Sequence, residues 1–171
     1  MTRPDFALLV VDLQRYYIDP RASFRAWTEF HAPGALAYIE GRIRESVLPA
    51  VSLLKAQFGR RGWPTAYLRL CGTAEDRSDL HRIFRQAHDL AGWEGFPDLY
   101  PLASDPLSEI LPEAAPEPGD AVFDKTTFSG FTSGGLASWL RETAPRAIVF
   151  AGLATSQCVD TTARDASDRG F

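Results

Sequence analysis

Phe6-Ala7-Leu8-Leu9-Val10-Val11 is apolar at all six positions. A strand with one face in water alternates apolar and polar residues, so an unbroken run marks a strand covered on both faces. The run stops at Asp12. Further short runs occupy Pro64 to Leu70, Ala121 to Asp124 (ending at Lys125) and Ala147 to Ala151. Between the first two, Gly34 to about Phe58 carries helical spacing through Leu36, Ile39, Ile43, Val47, Val51 and Leu54. Pro49 interrupts that pattern, so the helix kinks or restarts there, and Gly59 and Gly62 close it. An amphipathic stretch spans Asp79 to Leu90 within the less regular, proline-rich residues 73–119. Gly135 to Glu142 and the segment from Gln157 onward read as further helices. Strands alternating with helices imply an α/β fold, a mostly parallel sheet with helices on both faces.

In such sheets ligands bind at the carboxyl ends of the strands. Asp12, Lys125 and Cys158 all fall at such ends, far apart in sequence but brought to one edge by the architecture. Cys158 follows the last apolar run by a glycine and a few small residues, in the first turn of the helix that begins there. Free amide N–H groups at a helix N-terminus lower a thiol pKa and stabilise an oxyanion. The three residues together supply an acid or base, a cation and a nucleophile. Lysine is otherwise scarce: only Lys55 and Lys125 occur, against 16 arginines.

The remaining bounds exclude other classes. A length of 171 residues fits one domain with a sizeable core. The net charge of -4 leaves no sequence-wide basic footprint for nucleic acid. No apolar run approaches the roughly 18 residues of a membrane span, and the N-terminus enters the first strand without a secretory apolar region. Two cysteines do not make a disulfide scaffold, and a reducing cytoplasm is the expectation. The chain also lacks the phosphate-cradling glycine motifs. Leu13-Gln14 after Asp12 removes the acidic pair of a phosphoacceptor domain and the Asp-x-Asp of haloacid phosphatases.

Three blocks then carry a resemblance: Ala7 to Gln14, Lys125-Thr126-Thr127-Phe128-Ser129-Gly130-Phe131, and Gly152 to Val159 continuing through Thr162-Ala163-Arg164-Asp165-Ala166 to Gly170-Phe171. In order and spacing they resemble the isochorismatase-like cysteine hydrolases, near the N-carbamoylsarcosine amidase and ureido hydrolase branch. The resemblance implies a three-layer α/β/α sandwich of Rossmann type and a catalytic triad of Asp12, Lys125 and Cys158. It also implies an oxyanion hole from the Ala154 and Cys158 amides, and it leaves open a cis Leu153–Ala154 peptide. Hydrolysis of a C–N bond in a small amide, carbamoyl or ureido compound through an acyl-thioester follows, with no cofactor. Candidate substrate contacts are Gln14, Tyr17, Phe128, Phe131 and Thr155, with Phe24 and Trp27 from an irregular entry segment. The expected partners are a small-molecule substrate and further copies of the chain, as a dimer or tetramer.

Vinyl-ether hydrolysis and a non-catalytic module that keeps the fold are the alternatives. Nicotinamidases of this family carry an Asp-x-His metal element with further histidines after the second strand, where this chain reads Arg69-Leu70-Cys71-Gly72-Thr73-Ala74-Glu75-Asp76-Arg77-Ser78-Asp79-Leu80-His81. His81 and His88, seven residues apart, read as ordinary helix residues, since helical zinc ligands usually sit three or four apart. No metal is expected. His31 gives no signal, Cys71 reads as a structural bystander, and Arg164 with Asp165 reads as a solvated pair. The single domain, residues 1–171, ends where the resemblance predicts another strand and helix.

Overall fold

The computed structural model describes residues 3–132 and 134–171. Four strands form one all-parallel sheet: β1 (Phe6–Val11), β2 (Thr65–Leu70), β3 (Ala121–Lys125) and β4 (Ala147–Gly152), in the order β3-β2-β1-β4. β1 lies inside, pairing Leu8 with Thr65 on one side and Phe6 with Ala147 on the other. Its burial is complete from Ala7 to Val11, as the unbroken apolar run requires. Alternate residues serve opposite faces.

Leu8 and Val10 join Tyr67, Ile43, Leu48, Val51 and Phe58 in one core, under α3 (Leu48–Arg61). Ala7, Leu9 and Val11 join Leu68, Leu136, Leu140 and Ala166 in the other, under α5 (Leu136–Thr143) and α6 (Asp160–Asp168). Helices on both faces of a parallel sheet give the expected three layers. β4, an edge strand, is half-buried from Ile148 onward. Among the described residues, no helix is long and apolar enough to cross a membrane.

The long helical pattern divides near its proline. α2 (Ala35–Arg42) passes into a π-helical turn at Ile43–Val47, and α3 restarts at Leu48. Pro49 has no N–H to give the Glu45 carbonyl and its ring crowds that turn, so the ladder widens just ahead of it. α4 (Arg82–Trp93) lies slightly later than the amphipathic pattern placed it, with His81 as its N-cap accepting from Ile83 N–H at 3.3 Å. The segment expected to be irregular after Asp12 holds a helix, α1 (Ser23–His31). Its N-cap is Ala22 and its first turn has no acid, so the usual start signals are missing.

One glycine is obligatory. Gly152 closes β4 at φ +117°, and a Cβ there would sit 2.0 Å from the Val11 carbonyl oxygen. Gly152→Ala is therefore expected to destabilise the protein by about 3 kcal/mol or more, lowering Tm by roughly 6–12 °C. Gly41 in α2 meets open space, so Gly41→Ala should be neutral or stabilising by up to about 1 kcal/mol. Calorimetry on both variants checks this; a Gly152→Ala Tm equal to wild type would show that β1 and β4 do not approach so closely.

Candidate active site

Asp12, Lys125 and Cys158 meet at the carboxyl edge of the sheet, with 1%, 0% and 4% of their surface exposed. Asp12 follows β1 directly and takes a left-handed backbone, φ +52°, a conformation that aspartate tolerates better than most residues. Its N–H still bonds the Leu68 carbonyl at 3.0 Å, so the chain stays pinned to β2 while it turns. Lys125 is the last residue of β3, two strands away. Strands lie about 4.8 Å apart, so only a long side chain can reach from β3 across β2 to the end of β1. Cys158 comes from the opposite side, inside a π-helical turn (Thr155–Val159) that joins β4 to α6.

The Lys125 ammonium lies 2.9 Å from Asp12 Oδ2, 3.3 Å from Cys158 Sγ and 3.0 Å from the Thr127 carbonyl. The ammonium donates hydrogen bonds to Cys158 Sγ and the Thr127 carbonyl, and its contact with Asp12 is an ion pair. Both Asp12 oxygens are buried without a hydrogen-bond partner among the described residues. Burial pushes the Asp12 carboxyl above its ordinary value of 3.8, opposed by the Lys125 charge and the adjacent thiol. The Cys158 thiol is pushed up to about 12, by burial first and the Asp12 charge second, with Lys125 pulling it down. The helix start alone would lower the thiol pKa, whereas burial and the neighbouring carboxylate act in the opposite direction.

No peptide bond among the described residues is cis, so Leu153–Ala154 is trans. The Ala154 residue is exposed at the head of the π-helical turn, and its N–H donates to no acceptor among the described residues. Thr155 beside it is also exposed. Tyr17 packs its ring 4.2 Å from Tyr16 and 5.0 Å from Phe24. Burial, then the Asp12 and Cys158 charges, push its phenol well up, which places it near the pair. Phe128 is half-buried against Phe84 at 4.5 Å and His81 at 5.2 Å.

Two candidates are committed elsewhere. The Gln14 amide is fully buried, donating to the Leu70 and Ser108 carbonyls at 3.2 and 2.9 Å and accepting from Leu70 N–H at 2.7 Å. Phe131 stacks on Phe171 at 5.6 Å with the Arg169 guanidinium over its ring. Trp27 donates to Glu94 at 2.7 Å, and Glu94 also holds His31, a pairing that no local pattern announces. Cys71 is buried, with its thiol pushed up to about 12 by burial.

Sequence reasoning missed Tyr16 and Tyr100. Tyr100 lies 5.2 Å from Phe84 and 6.2 Å from Tyr16, and burial and then the Cys158 charge raise its phenol. It comes from the irregular 73–119 region, where periodicity gives no face. Arg164 and Asp165 are not a pair: Arg164 bonds Asp160, whereas Asp165 accepts from Ser129 Oγ at 2.6 Å. Among the described residues, no group of three or more His, Cys, Asp or Glu could hold a metal ion.

The family model of the isochorismatase domain matches residues 6–171. The chain belongs to the isochorismatase family. It is 31% identical over 175 residues to ureidoacrylate amidohydrolase RutB of Variovorax paradoxus, covering 95% of this chain and 63% of that protein. The corresponding protein of Stutzerimonas stutzeri is 30% identical over 169 residues, at 96% and 65% coverage. The chain thus spans less than two thirds of the length of these two relatives. A crystal structure of N-carbamoylsarcosine amidase from Thermoplasma acidophilum is similar at 28% identity and TM-score 0.65, over 98% of this chain and 78% of that one. A cysteine hydrolase from Pseudomonas syringae pv. phaseolicola shares the fold at 22% identity and TM-score 0.71, over 100% and 70%.

The two charges flanking Cys158 act on it in opposite directions, and their removal should separate. Lys125→Met is expected to raise the thiol pKa by about one unit, worth about 1.4 kcal/mol, slowing iodoacetamide alkylation at fixed pH about tenfold. Asp12→Asn removes a like charge and should speed it. Mass-spectrometric rates at Cys158 check this, and equal rates in both variants would show that neither charge acts on the sulfur.

Proposed function

We propose that this protein is a cysteine-dependent hydrolase that cleaves a C–N bond of a small amide, carbamoyl or ureido compound through an acyl-thioester. The observation that carries the reading is the buried Lys125 ammonium in contact with both the Asp12 carboxylate and the Cys158 sulfur. The names of the relatives, a ureidoacrylate amidohydrolase and an N-carbamoylsarcosine amidase, support the substrate class.

Each step uses a group already in place. Cys158 Sγ attacks the substrate carbonyl as its proton passes to Asp12, whose raised pKa suits it to accept. Lys125 keeps the developing thiolate and the carboxylate compatible. The carbonyl oxygen becomes an oxyanion, received by the Ala154 and Cys158 N–H groups. Asp12 then gives its proton to the departing nitrogen, the C–N bond breaks, and the acyl group remains on sulfur. Water attacks the thioester while Asp12 takes one of its protons. The proton returns to sulfur as the acid leaves.

Tyr17, Phe128 and Thr155 fit the substrate contacts in this reading, whereas Gln14 and Phe131 support the frame. The family resemblance adds a homo-oligomeric, cytoplasmic enzyme, and two free buried cysteines suit a reducing compartment.

Ammonia release from a panel of ureido acids, carbamoyl amines and amides tests the reading. Turnover of at least one panel member is expected, and Cys158→Ala should lower it by about a thousandfold or more; substantial residual hydrolysis would remove the covalent step. Exhaustive chelation should leave activity unchanged. Loss restored by zinc or iron would assign a metal role to His81, His88 or a nearby acid.

The pH profile has a definite sign. Asp12 must be ionised to accept the thiol proton, and its pKa is raised above 3.8. As pH falls, kcat/KM is therefore expected to drop at a pH above 3.8. An acid limb at or below the free-carboxyl value would mean that Asp12 is not the proton acceptor.

A further inference from the structure

The loop after Lys125 is held by the helix that carries the nucleophile. Thr162 lies one turn after Cys158 and is fully buried. Its hydroxyl donates to the Cys158 carbonyl at 2.6 Å and accepts from Gly130 N–H at 3.2 Å, with the Phe128 carbonyl at 3.4 Å. Threonine often bonds back to the carbonyl four residues earlier in a helix. The bond to Gly130 is of a different kind, because it joins the π-helical turn of the nucleophile to a loop 32 residues away.

A second clip lies one turn further along the same face. Asp165 accepts from Ser129 Oγ at 2.6 Å, and Ser129 Oγ in turn accepts from Phe131 N–H at 3.1 Å. A Cβ on Gly130 would come within 2.6 Å of Leu68 Cδ1 and 3.0 Å of Leu136 Cδ2, so the loop backbone lies against these two side chains. The same loop supplies Thr127 O, which accepts from the Lys125 ammonium, and Thr127 is itself tied to Ser129 and Thr132.

We infer that Thr162 is a positioning residue that sets the distance between the Lys125 ammonium and the Cys158 sulfur by fastening the lysine's loop to the nucleophile's turn. Its effect on turnover rests on the cysteine-hydrolase reading. Its effect on local charge does not. Loosening the loop carries the ammonium away from sulfur, and Coulomb attraction falls with distance.

Two readouts separate positioning from plain stability. Thr162→Val keeps the shape and loses the hydroxyl; Thr162→Ser keeps the hydroxyl and loses a methyl. Thr162→Val is expected to lower kcat about tenfold while KM stays within about twofold, and Thr162→Ser to retain most of the wild-type kcat. The second readout is the ratio of Cys158 alkylation rates by iodoacetate and by iodoacetamide. Greater accessibility speeds both reagents alike, whereas loss of a nearby cation slows the anionic one selectively. The Thr162→Val ratio is expected to fall about threefold, toward the value of Lys125→Met.

A Thr162→Val protein with the wild-type ratio and kcat would overturn the inference. So would a Thr162→Ser protein as impaired as Thr162→Val, since packing of the methyl would then be the cause. If Thr162→Val does not fold, Asp165→Ala removes the acceptor of the second clip and is expected to lower the ratio in the same sense; an unchanged ratio there overturns the inference. Absence of ammonia release by the wild-type protein would remove the proposed function, and the alkylation ratio would still decide the clip.

Discussion

One buried ammonium keeps the site electrically possible. Asp12 and Cys158 are both desolvated, and the Asp12 charge raises the Cys158 pKa while Lys125 lowers both. Lys125 pairs with the carboxylate, donates to the sulfur and donates also to its own loop. A buried ion pair of this kind contributes little net stability, because desolvation offsets the attraction, yet removing one partner leaves an uncompensated charge. The surrounding frame therefore serves placement: β3 delivers the lysine, β1 turns sharply at Asp12, and the π-helical turn after β4 delivers the thiol.

The strands and their chemistry were legible in the sequence because full burial leaves an unmistakable composition. Phe6 to Val11 could be read as a doubly covered strand from six residues, and Asp12, Lys125 and Cys158 stood out at strand ends. Pro49 marked the break in the long helix, although its consequence is a widened turn one step earlier. Local signals failed where tertiary contact decides. α1 begins without a capping residue and is held by packing and by Trp27 on Glu94. Gln14 looked like a ligand contact from its closeness to Asp12, but its amide is consumed by backbone groups of two distant segments. Tyr100 packs against Tyr16 and Phe84 from a region with no periodicity at all.

Charge balance was the least legible property. Position near a helix start argues for an acidic thiol, whereas the folded pocket argues the reverse. Burial of the sulfur and the closeness of a carboxylate are facts of packing, and no spacing in the chain encodes them.

The sheet order has a consequence for how the protein is made. β1 pairs with β4, so Phe6 meets Ala147 although the two are far apart in sequence. Contacts between such distant segments form slowly, because a long loop must close before they are rewarded. Until that closure the nucleophile has no carboxylate beside it and the carboxylate has no thiol. The contact of Lys125 with both Asp12 and Cys158 therefore forms only once β4 has paired with β1.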